Sequence, residues 1–407
     1  MNAREILEQA VREDVSDIFI VAGLPVSCRK NGNIIQTQEE KLFPKETEAL
    51  LNEIYGMAGD RDMMNLLVHG DDDFSFAIPG VSRFRVSAYK QRGALSAVIR
   101  VITFQLPNPQ ELGIPEAVMQ FADHTKGMIL VTGSAGSGKS TTLACLIDRI
   151  NNTRNTHIIT LEDPLEYLHR HNKSIVSQRE IKIDTDNYVT ALKASLRQSP
   201  NIILLGEMRD YETISVAMTA AETGHLLFST LHTIGAANTI DRIIDVFPPN
   251  QQHQIAVQLS MVLNAVISQQ LVPTVDGQMV PAFEIMSVTP AIRNMIRDNK
   301  VHQIDGLIAT SAKDDMISMD MSLMNLCKQG IITKETALTY ASNPEMLKKG
   351  YKNKPVFSIQ PNLSNWKIRA FSSVNRILLT EQLSNLFTFS IFFIILSFVN
   401  IIHSLTV

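Results

Sequence analysis

Cysteine is scarce in this sequence, and its spacing excludes two kinds of stabilising site. Three cysteines occur in 407 residues, at Cys28, Cys145 and Cys327, and they are widely separated without any CxxC pair. Disulfide frameworks and structural zinc sites need paired or closely spaced cysteines. We therefore expect neither kind of cross-link, which fits a protein of the reducing cytosol.

The chain also lacks an excess of positive charge. Its 37 Lys and Arg residues against 41 Asp and Glu residues give a formal net charge of −4 at pH 7. Nucleic-acid-binding proteins usually carry a basic surface or stripe, so we expect no nucleic-acid partner. Hydrophobic residues at 45% and charged residues at 19% are typical of a folded globular chain. A chain of this length predicts two or three folded units.

Long apolar runs are missing except near the C-terminus. Glu5, Glu8 and Asp14 occupy the region where a signal peptide would need an apolar core, so export by that route is not expected. One uncharged run extends from Leu386 to Val399, and the apolar segment continues to residue 402. A bilayer-spanning helix needs about 20 apolar residues. A membrane anchor, a docking segment and an extension with no role in the remainder of the protein all stay open for 386–402.

Two patterns of apolar residues divide the chain before that segment. Residues 1–103 combine helix-period and alternating runs, which predict a small α/β unit with strands near Ile18–Val21, Phe74–Phe76, Phe84–Val86 and Val98–Arg100, a helix near Pro44–Tyr55 and a turn at Asn31–Asn33. Two prolines in Leu106–Pro109 prevent a continuous helix or central strand and predict a linker over 104–112. Residues 113–348 are then a second domain, and 349–407 form an atypical C-terminal extension.

Short apolar runs alternate with longer helix-period segments in the second domain, which is typical of a parallel sheet covered on both faces by helices. The predicted strands are Met128–Thr132, Ile158–Leu161, Ile202–Leu205, Leu226–Ser229 and Met279–Ile285. The sequence therefore predicts an α/β fold.

A complete GxxxxGK[ST] motif follows the first of these strands and precedes a helical segment. In such a loop the backbone N–H groups point at phosphate oxygens, the lysine adds a positive charge, and the serine hydroxyl is a ligand for Mg²⁺. The predicted nucleotide-binding residues are Gly133, Ser134, Ala135, Gly136, Ser137, Gly138, Lys139, Ser140 and Thr141.

Acidic side chains follow two other predicted strands. Glu207 ends the run Ile202–Leu205–Gly206, as in a Walker B element, although a glutamate after an apolar strand is often only a solvated strand end. Glu162, Asp163 and Glu166 cluster after another strand, which is electrostatically costly unless a cation is near. Because ligands bind at the carboxyl ends of parallel strands, we expect these acids to approach Lys139. Ser140, Glu162 and Asp163 are the predicted Mg²⁺ ligands.

Two histidines flank a third predicted strand. His225 precedes Leu226–Ser229 and His232 follows it, and side chains along a strand alternate between its two faces. We expect His232, at the carboxyl end, to face the nucleotide and His225 to be structural. A buried histidine with only a packing role is the alternative for either one.

Taken together, the segments GSAGSGKSTT, LEDPLEY, LLGEMRD and TGHLLFSTLHT, in this order, resemble the Walker A, Asp-box, Walker B and His-box of the superfamily of type II secretion and type IV pilus ATPases. Within it, Pro290–Arg297 (PAIRNMIR) resembles the C-terminal signature of the twitching-motility retraction ATPases. The absence of a four-cysteine zinc insertion and of a longer N-terminal region, both typical of extension ATPases, also favours retraction.

The resemblance implies a PAS-like N-terminal α+β domain followed by a RecA-like P-loop ATPase domain with a helical C-terminal part. It implies ATP and Mg²⁺, and catalytic roles for Glu166 and Glu207. Arginines of the N-terminal domain would reach the γ-phosphate, and the candidates are Arg83, Arg85, Arg92 and Arg100. The predicted catalytic set is Glu207, Glu166, Lys139, His232 and Arg100.

The resemblance also implies a homohexamer at the cytoplasmic face of the inner membrane. Its partners would be a pilus platform protein of that membrane and a paralogous ATPase, with peripheral membrane association. A secretion, DNA-uptake or pilus-assembly ATPase shares the same motor core and stays an alternative. A weakly hydrolysing regulator is a further alternative, against which the intact Lys139, Glu166 and Glu207 argue.

Overall fold

A computed structural model describes residues 2–30, 33–102, 106–310 and 316–352. The predicted turn at Asn31 and Gly32, the first part of the predicted linker, and the extension from residue 353 with its apolar segment lie outside the described residues. Residues Met1–Leu347 form one compact unit that contains two β-sheets.

The first sheet is antiparallel throughout and has the strand order β3-β2-β1-β6-β5-β4. Its strands are β1 Asp17–Ile20, β2 Ser27–Lys30, β3 Asn33–Gln36, β4 Asp71–Ile78, β5 Ser82–Gln91 and β6 Ala94–Ile102. The helices of this region are α1 Ala3–Arg12, α2 Pro44–Met57 and α3 Met64–His69. Along β4 every second side chain is buried, as the two-residue period of a strand requires when one face meets a core.

Local chemistry explains where the first two helices begin. The Asn2 side chain accepts a hydrogen bond from the Glu5 amide at 2.9 Å, and the Glu5 carboxylate accepts one from the Asn2 amide at 3.1 Å. This reciprocal pair satisfies amides that have no carbonyl partner within α1. Pro44 opens α2, at a position where the missing N–H of proline costs nothing.

A buried carboxylate ties α2 and the following loop to β4. Asp72 is 4% exposed and accepts hydrogen bonds from Tyr55 at 2.9 Å, from Asn65 at 3.1 Å, and from two nitrogens of Arg61 at 2.9 and 3.0 Å. Burial alone would raise the pKa of Asp72, but these hydrogen bonds and the Arg61 charge outweigh it, so the pKa lies below its ordinary value.

We expect Asp72→Asn to lower the free energy of unfolding by about 1–3 kcal/mol at pH 7, because it leaves Arg61 without its counter-charge. The contribution of an acid with a lowered pKa is present above the unfolded pKa of about 3.9 and is lost as the pH falls through the folded pKa. Urea denaturation from pH 7 to pH 2 should show the two curves converging in acid. The exposed neighbour variant Asp73→Asn is the control, and an equal gap at every pH would contradict this account.

The second sheet has the order β13-β12-β7-β11-β10-β8-β9. Its strands are β7 Gly127–Thr132, β8 His157–Glu162, β9 Ile175–Glu180, β10 Ile202–Leu205, β11 Leu226–Leu231, β12 Leu263–Pro273 and β13 Met279–Ser287. All neighbouring strands are parallel except β12 and β13, which form an antiparallel hairpin with Gly277 in its turn. The predicted strand Met279–Ile285 therefore lies in an antiparallel edge strand of a sheet that is otherwise parallel.

Helices of this region flank the sheet and continue beyond it. They are α4 Glu116–Met119, α5 Lys139–Thr153, α6 Tyr188–Ser195, α7 Tyr211–Glu222, α8 Ala236–Asp245, α9 Pro249–Val262, α10 Pro290–Arg297, α11 Ile304–Thr310, α12 Met319–Lys328, α13 Lys334–Tyr340 and α14 Pro344–Lys352, with 3-10 turns at Gln120–Asp123 and Val301–Gln303. None of the helices in the described part of the chain is both long and apolar enough to cross a bilayer.

The central strands are buried on both faces. In β7, Met128 and Leu130 belong to one core cluster, whereas Ile129 and Val131 belong to another. A strand between two helical layers needs apolar side chains on both faces, which explains its unbroken apolar run. Because β7, β8, β10 and β11 run parallel to one another, their carboxyl ends lie at one edge of the sheet.

Candidate active site

A cleft of about 520 Å³ opens at the carboxyl ends of the parallel strands. Loops after β7, β8, β10 and β11 meet there, although they come from distant parts of the sequence. The predicted site residues that line it are Ala135, Gly136, Gly138, Lys139, Ser140, Thr141, Glu162, Asp163, Glu166, Glu207 and His232. Among the remaining predicted residues, Gly133, Ser134 and Ser137 belong to the loop without lining the cleft, and Arg100 lies elsewhere.

The loop between β7 and α5 has a backbone conformation that favours glycine at three positions. Gly133, Gly136 and Gly138 have φ angles of +143°, +75° and +88°. A Cβ atom at Gly133 would clash with the Gln269 carbonyl, and one at Gly138 would lie 2.8 Å from the Gln269 side chain. The Gln269 side chain also accepts a hydrogen bond of 2.7 Å from Thr142. Gln269 of strand β12 therefore packs against the glycine loop.

Two kinds of anion-binding group in this loop, the amides at the start of α5 and the Ser137 hydroxyl, are available to a ligand, whereas Lys139 is hydrogen-bonded within the loop. No side chain caps the first turn of α5, whose leading amides lack intrahelical partners. The buried Ser137 hydroxyl has no hydrogen-bond partner among the described residues. The Lys139 ammonium group donates to the carbonyls of Gly133 and Ser134 at 2.9 and 2.8 Å. Burial lowers the pKa of Lys139, and the carboxylates of the cleft oppose that shift.

Glu207 is held between two basic side chains at the end of β10. The Arg209 Nε atom lies 2.6 Å from one carboxylate oxygen, and the His232 Nε2 atom lies 3.5 Å from the other. Met208 is buried, and Asp210 accepts the Thr213 amide at the start of α7. Glu207 therefore lies in the cleft, while Met208 and Asp210 hold the loop after β10 in place.

The second acidic group surrounds the end of β8. Burial raises the pKa of Glu162 to about 7, and the charges of Glu166 and Glu180 add to the shift while hydrogen bonds from Thr160 and Gln178 oppose it. The Thr160 hydroxyl donates to Glu162 at 2.7 Å. The structure thus places Glu162 beside the more exposed acids Asp163 and Glu166.

Oxygen donors suited to Mg²⁺ converge on the cleft from two elements. Ser140 lies in the first turn of α5, Glu162 ends β8, and Asp163 follows it directly. Within the described residues no group of three or more His, Cys, Asp or Glu side chains could hold a metal ion by itself. Mg²⁺ commonly binds through one or two protein oxygens together with substrate phosphates, so this donor set fits a metal that arrives with the nucleotide.

The two histidines occupy different environments. His232 follows β11 and lines the cleft beside Glu207. His225 precedes the same strand, and its Nδ1 atom lies 2.9 Å from the Ala220 carbonyl and 3.2 Å from the Thr223 hydroxyl. The structure places His232 at the cleft and His225 at a helix-to-strand turn.

The four arginines predicted as candidates to reach the γ-phosphate lie in different surroundings. Arg100 of β6 pairs with Asp17 at 3.1 Å on the first sheet, away from the cleft-lining residues. Arg83 of β5 pairs with Glu180 of β9 at 2.7 Å. Arg85 and Arg92 form no ion pair within the described ranges. A catalytic role for Arg100 remains a prediction.

Sequence reasoning missed several groups that shape the site. Tyr188 lines the cleft from α6, and the Tyr167 hydroxyl lies 2.9 Å from the Thr141 hydroxyl, which joins the loop after β8 to α5. Gln269 braces the glycine loop from β12. Tyr188 and Gln269 lie outside the motifs recognised in the sequence, and only the folded sheet brings them to the site, whereas Tyr167 ends the LEDPLEY segment.

The family model for type II/IV secretion system proteins matches residues 2–325. The type IV pilus retraction ATPase PilT of Pseudomonas aeruginosa is 44% identical over 345 residues, which cover 85% of this chain and 99% of that protein. A twitching motility protein of Neisseria gonorrhoeae is 48% identical over 276 residues, covering 68% of this chain and 74% of that protein.

A solved structure is also similar. The crystal structure described as the pilus retraction motor PilT with bound ADP superposes with a TM-score of 0.78 at 42% sequence identity. The match covers 86% of this chain and 99% of the crystallised chain.

Proposed function

Because the chain belongs to the family of type II/IV secretion system proteins, we propose that it is an ATP-hydrolysing motor subunit that powers the retraction of type IV pili. The observation that carries this proposal is the convergence of the glycine loop, Lys139 and Glu207 on one cleft. The relatives named as a pilus retraction ATPase and a twitching motility protein support pilus retraction as the work that this motor performs. The predicted resemblance to retraction ATPases is thereby confirmed.

The predicted fold class is confirmed by the same comparison. The similar crystal structure spans nearly its whole length on this chain, with a small N-terminal α+β domain followed by a RecA-like ATPase domain and a helical C-terminal part. The exact domain boundaries at residues 103 and 113 remain proposals, since the described residues between 106 and 115 contain neither helix nor strand.

Nucleotide binding would begin at the glycine loop. The amides at the start of α5 and the Ser137 hydroxyl would donate to phosphate oxygens, and the positive end of the helix would favour their charge. The Lys139 ammonium group would exchange its bonds to the loop carbonyls for bonds to the β- and γ-phosphates. The lysine therefore stabilises the loop before binding and the phosphates after it.

Hydrolysis then needs a group that orients water and accepts its proton. Glu207 is the group we propose, because its carboxylate lies in the cleft and is held in orientation by Arg209 and His232. Glu166 lines the same cleft from the other acidic loop and would share this duty. Ser140, Glu162 and Asp163 would hold Mg²⁺, which when bound supplies positive charge to the phosphates.

Assembly and location are proposed from family membership. We propose a homohexamer at the cytoplasmic face of the inner membrane, acting on a platform protein of the pilus machinery and assisted by a paralogous ATPase. Sequential closure of the two domains around ATP would move that partner and release pilin subunits from the fibre base.

A strain that lacks the gene tests which process the motor drives, separately from whether it hydrolyses ATP. Loss of twitching with pili retained in normal or raised number, seen by microscopy, is the result expected for retraction. Loss of pili would indicate an assembly ATPase, and intact twitching with a secretion defect would indicate a secretion ATPase. Turnover by the purified protein decides between an ATPase and a weakly hydrolysing regulator.

A further inference from the structure

One buried carboxylate joins the N-terminal sheet to the ATPase sheet. Glu180, at the end of β9, has a side chain that is only 4% exposed. It accepts a hydrogen bond from Ser75 of β4 at 2.8 Å and bonds from two nitrogens of Arg83 of β5 at 2.7 and 3.1 Å. Both donors lie on the face of the first sheet opposite its own core, since the adjacent Phe74 and Phe84 are buried in that core.

The same carboxylate is a neighbour of the nucleotide cleft. Glu180 is the registered partner of Glu162 in the parallel pair β8 and β9, and the Ile181 amide donates to the Glu162 carbonyl at 2.8 Å. Registered residues on adjacent strands share a face of the sheet and lie about 5 Å apart.

We propose that the Arg83–Glu180 ion pair couples nucleotide occupancy of the cleft to the attachment of the N-terminal sheet. The inference rests on the proposed nucleotide site and adds Arg83 and Glu180 as positioning residues outside it. Arg83 supplies a positive charge that compensates Glu180 only while the two sheets are in contact. A bound nucleotide, which is strongly anionic, therefore favours the attached arrangement, and by linkage the attached arrangement binds nucleotide more tightly.

This coupling predicts opposite effects for the two partners. Arg83→Gln leaves Glu180 uncompensated, makes the cleft more negative and should weaken binding of a fluorescent ADP analogue with Mg²⁺ by about three- to tenfold. Glu180→Gln leaves the positive charge of Arg83 and should tighten binding by a similar factor. The double variant restores local neutrality and should bind within about twofold of the wild type.

A merely structural contact gives a different pattern, because the loss of either partner would then weaken binding in the same direction. Equal weakening by both single variants, or no change in either, overturns the proposal. Thermal melting of each variant reports folding. If Glu180→Gln does not fold, tighter binding by the double variant than by Arg83→Gln still supports the coupling, and weaker or equal binding overturns it.

Hydrogen exchange supplies the reciprocal measurement. In the wild type, the ADP analogue should slow exchange in β4 and β5, which carry Ser75 and Arg83, and the double variant should lose this protection. Protection that is equal in both proteins contradicts the proposal. Failure of the wild type to bind the analogue at all would instead count against the proposed function, so the two failures are distinguishable.

Discussion

Lys139→Ala is expected to abolish ATP turnover, with a fall in kcat of at least about 100-fold, because Lys139 is the only lysine or arginine among the described residues that line the cleft. The Lys139 side chain is bonded to two loop carbonyls, so the variant also removes a brace from the loop itself. Nucleotide affinity should therefore fall together with turnover. A phosphate-release assay and an equilibrium titration with a fluorescent nucleotide measure the two effects.

The control for this variant is Lys126→Ala. Lys126 is exposed just before β7 and lies outside the cleft-lining residues, so its replacement should leave turnover unchanged. Twitching of a strain that carries Lys139→Ala should be lost as well. Full hydrolysis by the Lys139 variant would end the proposal that this loop binds the reacting phosphates.

Glu207→Gln is expected to separate binding from chemistry. The amide keeps the size of the carboxylate but cannot accept a proton from water, so turnover should fall by about 10²- to 10⁴-fold. Removal of a negative charge from the cleft should leave nucleotide binding equal or tighter. Single-turnover kinetics and an ATP titration together show whether ATP is bound without being cleaved.

The matched control here is Glu222→Gln at the exposed end of α7. It removes one carboxylate from the same part of the chain without touching the cleft, and its turnover should equal that of the wild type. A Glu207 variant with normal kcat would transfer the proposed role to Glu166.

The phosphate loop was predictable because its chemistry is local. Eight consecutive residues contain both the glycines with positive φ angles and the lysine at its fixed position in the motif. The strand that precedes them is an unbroken apolar run. Glu207 was predictable for a similar reason, since an acid that ends a buried parallel strand must lie at the carboxyl edge of the sheet.

The remaining features depend on contacts between distant segments. Gln269 lies 127 positions from its partner Thr142 and sits on a strand whose polar residues do not indicate a buried strand. Strand β9 was not predicted for a related reason, because it contains three polar residues in succession, Ser177, Gln178 and Arg179. An edge strand needs fewer apolar residues than a central one, so its pattern is weak.

The partners of the arginines also could not be predicted from the sequence. Arg83 and Arg100 both lie on strands of the first sheet and have similar neighbours in sequence. Only the position of that sheet against β9 determines that Arg83 meets Glu180, whereas Arg100 meets Asp17 within its own sheet. No property of either residue alone distinguishes an inter-domain partner from an intra-domain one.

The close contact between Gln269 and the glycine loop limits how the loop can respond to its ligand. The Gly133 and Gly138 backbones lie so close to Gln269 that a Cβ atom at either position would come within 2.8 Å of it, which leaves little room between the loop and β12. A movement of the loop toward β12 would therefore press on that strand, which pairs with β13, and β13 in turn contacts α12. The rear wall of the catalytic cleft is thus continuous, through paired strands, with the far edge of the sheet.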